Sequence, residues 1–129
     1  MKTFIILIIL FTASTCKAID NWTTTDTILQ TAVVSTLTVD WLQTRYTAKH
    51  PDMFYETNPI MGKHPSVGTV NTYFAAIALL HTAAVVLLPK EFTVFETKIP
   101  LRNILQSVVI AVEVGAIINN VNAGVKLDF

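Results

Sequence analysis

Three stretches of this chain, residues 27–46, 67–88 and 103–125, are each apolar over a length that just crosses a bilayer. At 1.5 Å per residue, about 20 helical residues cover the roughly 30 Å of a hydrocarbon core. All five prolines, at 51, 59, 65, 89 and 100, fall between these blocks. Proline lacks the backbone donor a helix needs and disfavours helical geometry in the residue before it, so the blocks are bounded where the chain must turn. Charged residues make up only 14% of the chain and hydrophobic ones 52%. A soluble domain carries about 25% charged residues, so the shortfall agrees with burial in lipid. The expected fold is all-α: an integral membrane helical bundle of three spans in one domain, residues 19–129, with the lipid bilayer as its main partner.

Nine basic and nine acidic residues balance. No basic field exists to hold nucleic acid, which is excluded as a partner. Cys16 is the sole cysteine, so neither an internal disulfide nor a thiolate metal cluster is available.

Residues 1–18 carry one early lysine, an apolar run over 4–11 and then small residues. That is the layout of a signal peptide, with a cut expected before Ile19. An uncleaved fourth membrane helix is the alternative. Acylation at Cys16 is a third reading, disfavoured by the threonine directly before it. Lys2 favours a cytoplasmic start. The connectors over 45–65 and 89–102 carry three basic residues each, so the positive-inside rule does not orient the rest.

The polar residues inside the apolar blocks are few and patterned. Thr36, Asp40, Gln43 and Thr44 share one face of the first block. In the second block, Asn71, Ala75, Ala78 and Thr82 form a small, weakly polar stripe suited to close helix approach, with His81 beside it. Gln106, Glu113 and Asn120 sit seven apart on the third. A carboxylate at a span centre costs about 2.5–3.5 kcal/mol on insertion scales, so Glu113 needs compensation. Asn120, Gln106, His81 and cavity water are candidate partners. Arg45, one turn below Asp40, is expected to reach back and neutralise it.

The connector over 47–66 contains Glu56, Asn58 and His64 between its prolines, along with Met53, Phe54, Tyr55, Ile60 and Met61. It is too apolar for a freely solvated loop. Asn58-Pro59 initiates a turn, and Gly62 can supply a positive φ. The later connector, 90–102, is expected to hold a short strand or an interfacial helix. The polar cluster anticipated from these patterns is Asp40, Thr44, Glu56, Asn58, His64, His81, Glu113 and Asn120.

Asp40-x-x-x-Thr44 followed by Glu56-Thr57-Asn58-Pro59 resembles a family of small multi-helix membrane proteins of bacteria and their phages. The likeness covers residues 36–88. It implies four or fewer membrane helices and a shared Asp/Glu/Asn cluster; the expected location of the chain is a bacterial inner membrane. It implies no activity, and no cofactor follows from it.

Three uses of the cluster compete. It can hydrogen-bond helices to each other or to partner helices, including those of a second copy. It can form a cavity that binds a small polar ligand or relays protons. It can do chemistry, with a metal or hydrolytic centre built from Asp40, Glu56, His64, His81 and Glu113. The last lacks motif support: there is no HExxH and no histidine pair at i, i+4. The expectation is therefore a non-enzymatic membrane component, phage-encoded on the resemblance. An intramembrane enzyme or transporter using the Asp/Glu/His cluster is the alternative.

Overall fold

The computed structural model describes residues 22–129. Signal, fourth helix and Cys16 acylation all fall on residues outside that range. Among the described residues, three helices are joined by a loop and a small hairpin. They are α1 (Thr24–Lys49), α2 (Val67–Leu87) and α3 (Leu101–Asn122), with β1 (Phe92–Val94) and β2 (Thr97–Ile99) before α3. The connector strands pair antiparallel, Phe92 opposite Ile99 and Val94 opposite Thr97. Phe95 and Glu96 turn the chain at φ 45° and 68°. The mostly helical expectation holds, with this hairpin as its one β element among the described residues.

The first two helices start where the sequence supplies a side-chain cap. Thr23 accepts the Asp26 backbone N–H through its hydroxyl, and the Asp26 carboxylate accepts the Thr23 backbone N–H at 2.8 Å. This reciprocal pair closes α1 and places a negative charge in its first turn, where the helix dipole favours it. Ser66 caps α2 by accepting from Thr69 N at 3.1 Å. Pro89 follows the end of α2 and Pro100 precedes α3.

Helix α1 is the hub. It packs extensively on α3 and α2, while α2 and α3 barely touch. Its inward seam is Asp26, Gln30, Val33, Leu37, Asp40, Thr44 and Thr47, alternating steps of four and three as a packed helix seam does. The apolar middle of that seam meets Val70 and Phe74 of α2 and the loop residue Met61. Val109 and Ile110 of α3 lie against the same cluster.

Burial is inverted relative to a soluble protein. Among the described residues, seven buried side chains are apolar and seven are polar or charged. Large aliphatic side chains meanwhile cover the outside, including Leu79 at 72% exposure and Val112 at 62%. In water that outer surface would be costly, and in lipid it is the expected one. Helices α2 and α3 are each long and apolar enough to cross a membrane. Helix α1 is more polar, but many of its outward hydroxyls are satisfied internally. Thr31, Ser35 and Thr38 each donate to the carbonyl four residues back, at 2.7 to 2.8 Å, which removes their need for water.

The chain directions define two ends. The loop end holds the α1 C-terminus, residues 50–66 and the α3 C-terminus. The hairpin end holds Trp22, the start of α1, β1–β2 and the start of α3. After α3, Gly124 at φ +82° turns the chain back. Val125 is buried, and the Asp128 backbone N–H donates to Leu42 O at 3.1 Å.

Candidate functional site

Because α2 and α3 diverge around α1, a cavity of about 250 Å³ opens at the loop end. Helix α1 contributes Asp40 and Thr44 to its wall, α2 contributes Tyr73 and Phe74, and α3 contributes Glu113, Asn119 and Asn120. Glu56, Thr57 and Asn58 come in from the loop.

Asp40 is the meeting point. Asn120 donates to its Oδ1 at 3.0 Å and to Gln43 Oε1 at 3.2 Å, tying α3 to α1. Glu113, two turns earlier on the same side of α3, brings its carboxyl group within hydrogen-bonding reach of Asp40. A bond between two carboxyl groups requires that one of them hold a proton. The second oxygen, Glu113 Oε2, is buried and has no hydrogen-bond partner among the described residues.

The Glu-Thr-Asn-Pro segment builds the cavity's mouth. Asn58 Oδ1 accepts the Ile60 N–H at 3.0 Å, an Asx turn that suits the following proline. Its Nδ2 donates to Tyr73 Oη at 2.8 Å, so the loop is pinned to α2. Glu56 accepts the Asn58 N–H at 2.8 Å and donates its own backbone N–H to Lys63 O at 2.9 Å, which closes the loop at its base. Glu56 lines the same cavity as Asp40 and Glu113. Three carboxyl groups therefore converge on one cavity.

Two cluster members lie elsewhere. His64 is exposed beyond the closed end of the loop and takes no part in the cavity wall. His81 is buried on α2 toward the hairpin end, and among the described residues neither of its ring nitrogens has a hydrogen-bond partner. The two histidines of the proposed joint metal set thus lie apart from its three carboxylates, and among the described residues no three such groups are placed to hold a metal.

Arg45 does not neutralise Asp40. Its Nε pairs with Asp128 at 3.1 Å and its guanidinium lies 5.8 Å from the Trp41 ring centre. Lys49 binds the same carboxylate at 2.8 Å. These bonds, from Lys49 first and Arg45 second, outweigh partial desolvation and hold the Asp128 carboxyl below the usual carboxylate range. Asp128 was not among the anticipated residues, because nothing local in a chain end marks a partner some 80 residues away.

A second polar layer at the hairpin end was also missed. Arg102, fully buried, pairs with Asp26 at 3.3 Å and donates to Leu88 O at 2.9 Å. The Trp22 ring lies 5.4 Å from its guanidinium. Gln106 Nε2 donates to Asp26 O at 3.1 Å and to Gln30 Oε1 at 3.2 Å, and Gln30 in turn donates to Thr82 at 3.2 Å. The available signal was the matched i, i+4 pairs Asp26/Gln30 and Arg102/Gln106 at the same end of two facing helices.

No family model, curated protein or solved structure matches this chain.

Proposed function

We propose that this chain is a small integral membrane protein of three spans, α1, α2 and α3, and a non-enzymatic component whose loop-end cavity takes up and releases protons. The observation that carries this reading is the convergence of Asp40, Glu113 and Glu56 on a cavity whose wall includes no lysine, arginine or histidine. Cross-helix glue works by mutual satisfaction, as Asn120 shows with Asp40 and Gln43. The carboxyl groups go beyond glue: among the described residues no cation lines their cavity, and the nearby Arg45 and Lys49 are committed to Asp128. Ionisable groups held inside a membrane protein at such cost are the usual parts of proton relays.

The third span rests on the back-bonded hydroxyls of α1 and on its place between two helices long enough to cross. A bacterial inner membrane, and a phage as the source, rest on the resemblance of the Asp40/Thr44 and Glu56/Asn58 pattern alone.

Infrared difference spectroscopy on lipid-reconstituted protein tests the reading. The wild type should show a carboxylic-acid C=O band that titrates and exchanges with D₂O, lost in both Asp40→Asn and Glu113→Gln with the helical signal intact. A wild-type spectrum with no titrating band assignable to these two residues would overturn it.

A further inference from the structure

The seam of α1 is polar at both ends and apolar in the middle, and the same order repeats on its neighbours. On α1 it runs Asp26 and Gln30, then Val33 and Leu37, then Asp40 and Thr44. On α3 it runs Arg102 and Gln106, then Val109 and Ile110, then Glu113 and Asn120. Phe74 and Ile77 of α2 fall at the level of the apolar section, and His81 and Thr82 lie beyond it toward the hairpin end. The two polar layers are therefore stacked along the bundle axis. From Gln30 to Asp40 the helix rises about 15 Å.

The hairpin-end layer has capacity left over. Asp26 Oδ1 and Gln106 Oε1 belong to side chains with no exposure, and among the described residues no group donates to either. His81 nearby is 8% exposed and has both ring nitrogens unbonded. Buried polar atoms without protein partners are the ones that internal water reaches and bridges. The apolar section between the layers offers water nothing to bond to, and constrictions of that kind stop conduction by staying dry.

We propose that the two polar layers are the two halves of one proton pathway through the bundle, with Val33, Leu37, Phe74 and Ile110 as the dry gate between them. This rests on the proton-exchange reading of the loop-end cavity. A proton taken up at Asp40 or Glu113 would pass along water to the Gln106 and His81 level only when the gate is wetted. No bond is made or broken beyond O–H and N–H exchange, and the charge moved is balanced by a counterion.

The test is proton flux into vesicles of equal parts phosphatidylcholine and phosphatidylglycerol, read by an internal pH dye, with potassium and valinomycin supplying the counterion. Wild-type flux should be low. Leu37→Ser should raise it about tenfold or more, the direction expected when a dewetting constriction is made polar. Val33→Thr, which keeps the shape and adds only a hydroxyl, should raise it less. Adding Gln106→Leu or Asp40→Asn to Leu37→Ser should return flux to the wild-type level.

Folded gate variants that conduct no better than wild type would overturn the gate. So would a leak in Leu37→Ser that Gln106→Leu leaves unchanged, since that is a packing defect. The infrared titration separates the two proposals. A titrating carboxyl pair with silent gate variants removes only the pathway, while a silent carboxyl pair removes the cavity reading first.

Discussion

The two ends of this bundle use the same helices and similar residue types, yet they are built on opposite rules. At the hairpin end a buried carboxylate meets a buried guanidinium, and Trp22 closes over the pair. At the loop end three carboxyl groups face a cavity whose wall holds no lysine or arginine, and Arg45 and Lys49 are held by Asp128. A buried charge is tolerable when paired and hydrogen-bonded, and costly when its partner is removed. The hairpin end should therefore be brittle to single changes and the loop end tolerant of them. Position in the bundle does not decide which polar residues stabilise; charge balance does.

Removing Arg102 should give the largest effect. Arg102→Met leaves Asp26 buried without its counterion, a change worth about 3–5 kcal/mol in comparable buried pairs. Detergent-titration unfolding followed by circular dichroism measures it. The double variant Arg102→Met/Asp26→Leu should lose less than Arg102→Met alone, because no orphaned charge remains. A double variant as unstable as the single one would mean that packing, not charge balance, sets the brittleness of that end.

Asn58→Ala comes next. It removes the Tyr73 bond and the Asx turn together, two net hydrogen bonds at about 1 kcal/mol each. Hydrogen exchange at Ile60, Met61 and Gly62 should accelerate while exchange in the hairpin stays unchanged. If protection over residues 56–63 survives, the loop is held by Met61 packing and not by Asn58.

Asp40→Asn and Glu113→Gln probe the loop end directly. Each relieves repulsion among carboxyl groups while keeping shape and an acceptor oxygen, so unfolding should shift by less than about 1 kcal/mol, in the range of one ordinary hydrogen bond. A loss as large as that of Arg102→Met would make both ends structural and erase the contrast.

The three helices could be read in advance because each apolar block keeps a helical length and the prolines fall between the blocks. That Asp40, Glu113 and Asn120 belong to one cluster was readable because the helical period lines up the polar residues of each helix, but the bond from Asn120 to Asp40 was not. Glu56 and Asn58 were readable because the turn chemistry of Asn-Pro is local. Arg102 was misleading. It follows Pro100 in a charge-rich connector and looks like a solvated topology signal, and only the inward turn at the start of α3 buries it. His64 was misleading in the other direction. Nearness in sequence to Glu56 and Asn58 counted for it, but the closed loop carries it outward. Arg45 was assigned to the carboxylate one turn away because a sequence shows neighbours along a helix and not a tail folding back.

That tail supplies the smallest expected effect and the cleanest sign. The folded state holds the Asp128 carboxyl below its ordinary value of about 3.9, through its bonds to Lys49 and Arg45. A lowered folded pKa means the unfolded or detached tail binds the proton more readily. The stabilisation is therefore present in full above the ordinary carboxylate value and fades as pH falls through the depressed one. Limited proteolysis after Lys126 should report this, since cleavage there requires the tail to leave its bond to Leu42 O. With a protease calibrated on a control peptide at each pH, cleavage should be slow near neutrality and quicken toward acid pH. In Asp128→Asn it should start faster and lose most of that dependence. Tail release in this variant with an unchanged Asp40/Glu113 infrared signal would show that Arg45 and Lys49, even when set loose, do not turn to neutralise the cavity. A cavity band that shifts instead would make the tail's grip on those two cations the reason the loop end stays acidic.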